Sequence, residues 1–184
     1  TENEYTGGGG VFLYASSGLL RGNAVRDNEA ESAADGWEFG GGVFCWNCSN
    51  LDVERNDISG NRGGGVALLN TECRMVECVV AGNSASYVGG GVKSLGSSSI
   101  PTLERCLIVG NRAVSANGDA GGGGIYLNYV GISAMVLRGC TIADNELVVG
   151  PDVSGHGAGI FAYVSPTGVV NMNMSDSIIW GNVN

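Results

Sequence analysis

Six times along this chain a run of small residues, nearly all glycine, opens directly onto a β-branched residue. The runs are Gly7 to Gly10 before Val11, Gly40 to Gly42 before Val43, Gly63 to Gly65 before Val66, Gly89 to Gly91 before Val92, Gly121 to Gly124 before Ile125, and Gly157-Ala158-Gly159 before Ile160. A second motif trails each run: Val25-Arg26-Asp27-Asn28, Ile58-Ser59-Gly60-Asn61, Val80-Ala81-Gly82-Asn83, Ile108-Val109-Gly110-Asn111, Ile142-Ala143-Asp144-Asn145 and Ile179-Trp180-Gly181-Asn182. Five residues before each of those Val or Ile residues stands another apolar residue: Leu20, Val53, Met75, Leu103, Leu137 and Met174. Three registers that recur together six times mark one structural unit stacked on its own copies.

The unit is made of strands. Successive motif asparagines lie 33, 22, 28, 34 and 37 residues apart, a looser spacing than helical repeats or propeller blades keep. After each glycine run the inward positions alternate, as in Val11 and Leu13, Val43 and Cys45, Val66 and Leu68, or Ile125 and Leu127. Period two means a strand with one buried face. Short strands that return every coil predict an all-β fold: a single right-handed parallel β-helix of about six coils, three short strands per coil, spanning residues 1–184. Its coils stack about 4.8 Å apart.

Glycine supplies 33 of 184 residues, against 3 prolines. That abundance without a three-residue period excludes collagen, and 43% hydrophobic content with 15% charge argues against disorder. In a β-helix the glycines have a use, as corners that need positive φ and as places where backbones approach closely. The motif asparagines, Asn28, Asn61, Asn83, Asn111, Asn145 and Asn182, are expected to form an amide ladder from coil to coil. The stretches between each asparagine and the next glycine run read as surface loops. They carry acids, namely Glu29, Glu31, Asp35, Asp119, Glu146 and Asp152, that could hold Ca²⁺ or simply face solvent.

Net charge is −9, which leaves no basic patch for nucleic acid or an anionic membrane surface. No apolar run approaches the ~20 residues of a membrane helix. No cofactor and no metal site is expected.

The Gly-Gly-x-Val/Ile motif followed by Ile-x-x-Asn resembles the repeat of bacterial polymorphic outer-membrane proteins, which have Phe where this chain has Val or Ile. It is also similar to the right-handed β-helix repeats of the pectin-lyase-like superfamily. The resemblance covers the whole chain. It implies an extracellular or cell-surface protein with an adhesive or scaffolding role.

Many β-helix proteins cleave polysaccharides, which needs carboxylates converging on one groove. The outward positions of the first strand are Phe12 and Tyr14, Phe44 and Trp46, Ala67 and Leu69, Lys93 and Leu95, Tyr126 and Asn128, Phe161 and Tyr163. None is a carboxylate, so no catalytic residue is expected there. Gly155-His156-Gly157 matches the Gly-His-Gly of polygalacturonases but lacks the paired aspartates of that family, so His156 reads as a loop residue. The aromatics Phe12, Phe44, Tyr126 and Phe161, with Tyr14, Trp46 and Tyr163 in the adjoining column, form a stripe. Three readings stand: a protein interface, a glycan-stacking platform, or a face covered by the long loops.

Cys78, Cys106 and Cys140 occupy one inward column. Neighbouring coils bring such residues within disulfide range, and stacked free thiols fit equally well. Cys48 and Cys73 fall in the first turn of adjacent coils and are the best disulfide candidates. Asn47-Cys48-Ser49 and Asn173-Met174-Ser175 are glycosylation sequons if the source is eukaryotic. Neither end shows a capping motif, so the chain is expected to be a segment of a longer protein or a subunit that stacks end to end on itself or on a partner. The functional expectation is a structural or adhesive, non-enzymatic β-helix. A carbohydrate-binding module is the alternative and a polysaccharide lyase or hydrolase the next.

Overall fold

The computed structural model describes residues 8–30, 40–97, 99–116, 120–129, 132–164, 166 and 168–184. Three six-stranded parallel sheets run the length of the molecule. The first sheet stacks Val11–Tyr14, Val43–Trp46, Val66–Leu69, Val92–Gly96, Ile125–Tyr129 and Ile160–Val164. The second stacks Gly18–Arg21, Leu51–Glu54, Cys73–Val76, Thr102–Glu104, Ile132–Arg138 and Val169–Ser175. The third stacks Ala24–Arg26, Asp57–Ser59, Val79–Ala81, Leu107–Val109, Thr141–Ala143 and Ile178–Trp180. Every strand pairs with its counterpart one coil away, so the chain winds through six coils as a right-handed parallel β-helix.

The bore of the solenoid is one continuous hydrophobic core. It is filled by columns, each holding one residue per coil. Val53, Met75, Leu103 and Leu137 make one, and Ile58, Val80, Ile108 and Ile142 another, all at 0–1% exposure. β-Branched and long apolar side chains suit this geometry, because each packs on its copy above and below as well as across the bore.

Three strands per coil is not the whole account. The stretches expected as loops contain strands of their own. Ser84–Ser86, Arg112–Ser115 and Glu146–Val149 form a fourth, three-stranded parallel sheet. Ala120–Gly121 and Gly155–His156 form a two-stranded one. A small satellite core of Ala113, Ala120, Leu147 and Ala158 lies beneath them. The register of the bore propagates beyond each asparagine and organises these segments, although their sequences show no common motif.

The corners repeat as faithfully as the strands. The residue before each ladder asparagine has positive φ: Asp27, Gly60, Gly82, Gly110, Asp144 and Gly181, at 53° to 67°. Gly, Asp and Asn tolerate this conformation best. The corner between the second and third sheets uses the same conformation at Gly22, Arg55, Glu77, Arg105, Gly139 and Asp176. Four of those six are charged side chains in a region that costs L-residues roughly 1–2 kcal/mol each. The glycine runs serve closeness as well as φ. At Gly91 an added Cβ would lie 2.6 Å from the Gly124 carbonyl oxygen and 2.9 Å from Asn111 Nδ2, so only glycine fits against the ladder.

Candidate functional site

The polar chemistry of this molecule is concentrated between coils. The asparagine column forms an unbroken ladder. The backbone N–H and Nδ2 of Asn61 both donate to Asn83 Oδ1, at 3.0 and 2.8 Å. Asn83 repeats this with Asn111 and Asn111 with Asn145. Asn28 opens the series on Asn61, and Asn145 closes it on Asn182. The remaining Nδ2 proton donates to a carbonyl of the coil before, as from Asn83 to Ile58 at 2.9 Å. Each fully buried amide in the middle of the ladder therefore has both protons donated and its oxygen doubly used.

The other two corners carry ladders as well. Between the second and third sheets the column reads Asn23, Asn56, Cys78, Cys106, Cys140, Ser177. Asn23 donates to Asn56 Oδ1 at 2.9 Å. The thiols of Cys78, Cys106 and Cys140 then take over the Asn56 role, donating to Val53, Met75 and Leu103 carbonyls of the coil before. Ser177 Oγ accepts from the Cys140 N–H at 3.1 Å. At the corner after the first sheet, Cys48 N–H donates to Thr71 Oγ1 at 3.3 Å and Thr71 N–H to Ser99 Oγ at 3.1 Å. Sequence reading found the first ladder and missed these two, because their residue types change from coil to coil. The available signal was the recurrence of small polar or thiol side chains at a fixed offset from each strand.

This register corrects the disulfide assignment. Cys48 pairs in its corner column with Thr71, whereas Cys73 is a strand residue opposite Leu51. They belong to different columns, and both are free thiols. All six cysteines are buried and free. Burial pushes Cys45 up to about 12 and Cys73 well above the ordinary thiol value. Hydrogen bonds to Cys140 and Cys78, together with burial, push Cys106 far up, and the same bonds hold the two flanking thiols down.

The charges also run from coil to coil. Every arginine of the chain faces a carboxylate of a neighbouring coil. Asp52, Arg74, Glu104 and Arg138 make one run and Arg55, Glu77 and Arg105 another. Arg21 pairs with Glu54, Arg26 with Asp57, Arg62 with Glu29, and Arg112 with Glu146. The arginine hydrogen bonds hold the carboxyls of Asp57, Glu77 and Glu104 below the ordinary carboxylate range. The one lysine, Lys93, is 2% exposed. Two of the acidic-turn residues, Glu29 and Glu146, are thus spent on arginines. Asp152 is exposed, while Glu31, Asp35 and Asp119 lie outside the described residues. Among the described residues no cluster of three or more His, Cys, Asp or Glu side chains is placed to hold a metal.

The aromatic columns are in register as read, but they are not one exposed stripe. Phe12 and Tyr14 are about half exposed, as is Tyr163, whereas Phe44 is 2% and Tyr126 6% exposed. Phe12 stacks on Phe44 at 5.2 Å between ring centroids, and Tyr126 packs tilted against Phe161 at 5.8 Å. Val88 and Tyr87, which follow the fourth-sheet strand Ser84–Ser86, pack over Tyr126 with Leu95. The middle of the stripe is covered, and the exposed aromatics are left at the two ends. His156 lies on a short strand instead of a loop, exposed and stacked on Phe161 at 4.9 Å.

One open depression of about 320 Å³ lies on the outer side of the second sheet, lined by Asn50, Asp52, Glu72, Arg74, Ile100 and Thr102, with Leu51 and Cys73 beneath. It carries carboxylates from two neighbouring coils, Asp52 and Glu72, which lie outside the outward column of the first sheet.

A family model described as a right handed beta helix region matches residues 1–123. The chain belongs to that family. No curated protein and no solved structure matches it. No helix among the described residues is long and apolar enough to cross a membrane.

Proposed function

We propose that this β-helix is a structural, adhesive scaffold of the cell surface or of secreted material. The observation that carries the reading is where the charged and amide groups go. Each arginine, and each mid-ladder asparagine, is bonded between coils and so contributes to a rod, leaving little convergent chemistry for a substrate. The carboxyls of Asp57, Glu77 and Glu104, held low by their arginine partners, are poor proton donors at neutral pH. Net charge of −9 suits a soluble, mutually repelling outer face. Immunogold labelling of the intact source cells with antibody to the folded chain tests this. The expected result is label on the surface or in extracellular material. Diffuse cytosolic label would overturn it.

A second reading, a groove that recognises or cleaves a polysaccharide, is favoured by the depression that joins Asp52 and Glu72. Incubation with uronan polysaccharides separates the two. The scaffold reading predicts no unsaturated product and no new reducing ends. Turnover that disappears in Glu72→Gln would put the groove first.

A further inference from the structure

The corner between the second and third sheets carries thiols in three consecutive coils, although its hydrogen bonding does not need sulfur. Asn56 and Ser177 occupy the same column and close on the carbonyl two residues back, at 3.1 Å on Glu54 and 2.9 Å on Ser175. Cys78, Cys106 and Cys140 make the equivalent bonds to Val76, Glu104 and Arg138 at 3.5, 3.4 and 3.6 Å. An amide or a hydroxyl therefore serves this corner. What three thiols in succession add is a line of adjacent sulfur atoms.

Register brings those atoms together. The Leu107 N–H donates to the Cys78 carbonyl and the Thr141 N–H to the Cys106 carbonyl, both at 2.9 Å. Each cysteine thus sits over the next at the spacing of neighbouring strands, about 4.8 Å, which is inside disulfide range at Cα. The Cys106 thiol is hydrogen-bonded to both neighbours. Cys78 and Cys140 are two coils apart, roughly twice that spacing and out of range. The other three cysteines have no thiol in register in an adjacent coil. Cys45 lies between Leu13 and Leu68, Cys73 faces Leu51, and Cys48 stands beside Thr71.

We propose that this column is a site of reversible oxidation by peroxide, with Cys106 a member of every disulfide formed. A flanking thiolate, Cys78 or Cys140, attacks one peroxide oxygen. The O–O bond breaks, hydroxide leaves, and a sulfenic acid remains. The Cys106 sulfur then attacks the sulfenic sulfur, the S–O bond breaks, and the oxygen departs as water with the Cys106 proton. In sum two thiols give up two electrons and two protons, and hydrogen peroxide becomes two waters. A dithiol reverses the bond by exchange. The inter-thiol hydrogen bonds that push Cys106 up hold Cys78 and Cys140 down, which favours the flanking sulfurs as attackers. The column lies one residue inside the exposed corner residues Glu77, Arg105 and Gly139. Peroxide is little larger than water, and the finished disulfide adds no atoms to the core. An alkylating reagent would leave its whole adduct there, so burial blocks the one reaction and not the other. The inference is separate from the scaffold reading, and its failure leaves that reading standing.

Thiol counting and peptide mapping test it. The folded chain is treated with hydrogen peroxide, cleared with catalase and unfolded in N-ethylmaleimide. Of six free thiols, one disulfide leaves four (six less two), and dithiothreitol should restore all six. The cross-linked peptides are expected to join Cys106 to Cys78 or to Cys140. Cys106→Ser is expected to form no cross-link and to gain oxygen on Cys78 or Cys140 instead. Serine already fills this column at Ser177, which suits the substitution to the corner. Should that variant not fold, the flanking ones carry the test. Cys78→Ser should give Cys106–Cys140 alone, and Cys140→Ser should give Cys78–Cys106 alone. Retention of all six thiols in the treated chain would overturn the proposal. So would a cross-link in Cys106→Ser, or a bond between Cys45 and Cys48, the pair that touches within one coil.

Discussion

A buried side-chain amide is costly unless all its hydrogen bonds are made, and this chain buries four in one column at 0% exposure. Removing one exposes that cost. Asn83→Ala leaves the Asn61 N–H and one Asn61 amide proton without acceptors and takes one of the donors from the Ile58 carbonyl. At about 1–3 kcal/mol for each orphaned group, equilibrium urea unfolding should show a loss of at least about 2 kcal/mol. Glycine substitutions separate the two uses of glycine. Gly110 has φ near 59° and open space around its Cβ position, so Gly110→Ala should cost about 1–2 kcal/mol. Gly91 has an ordinary φ but no room, so Gly91→Ala should cost about 3 kcal/mol or more in the same assay. Thiols test burial directly. Iodoacetamide at pH 8 should modify none of the six cysteines in the folded protein and all six once unfolded, with mass spectrometry as the readout.

At the scale of strands and corners, the sequence announced some columns and concealed others. The glycine runs and the Asn column were legible, because each needs one residue type for a steric or hydrogen-bonding reason. The corners of Cys48, Thr71 and Ser99, or of Asn56, Cys78 and Ser177, were not, because amide, hydroxyl and thiol all serve where the task is one donor and one backbone acceptor. Cys48 and Cys73 were misjudged for the same reason: without the register, a corner and the strand after it look alike. The fourth sheet was hidden because its strands have no shared pattern and are held by the register of the coils they follow. Inter-coil charge pairs give this scale its own prediction. Arginine lowers the folded pKa of Asp57, Glu77 and Glu104 below the unfolded value. Their contribution is complete above the unfolded pKa and is lost as pH falls through the folded one. Stability should therefore be level from about pH 5 to 8 and decline below about pH 4. Each pair is exposed and individually weak. Urea midpoints at pH 7 and pH 3 check the direction, and a higher midpoint at pH 3 would contradict it.

For the whole molecule, parallel stacking makes stability a sum of neighbour contacts, so the ladders that join coils are also what define the rod. The aromatic stripe shows how a surface feature read from sequence changes with the fold. Its register is as read, but Tyr87 and Val88 pack against Tyr126, and Phe44 is buried, so the middle of the stripe is removed from solvent. The central claim is that side chains, not turns alone, lock each coil to the next. Amide hydrogen exchange followed residue by residue tests it most directly. The corner N–H groups of Asn61, Asn83 and Asn111 donate only to side-chain oxygens of the next coil. The account predicts that they exchange as slowly as the strand amides of Ile58, Val80 and Ile108. Exchange at the rate of an exposed turn would contradict it.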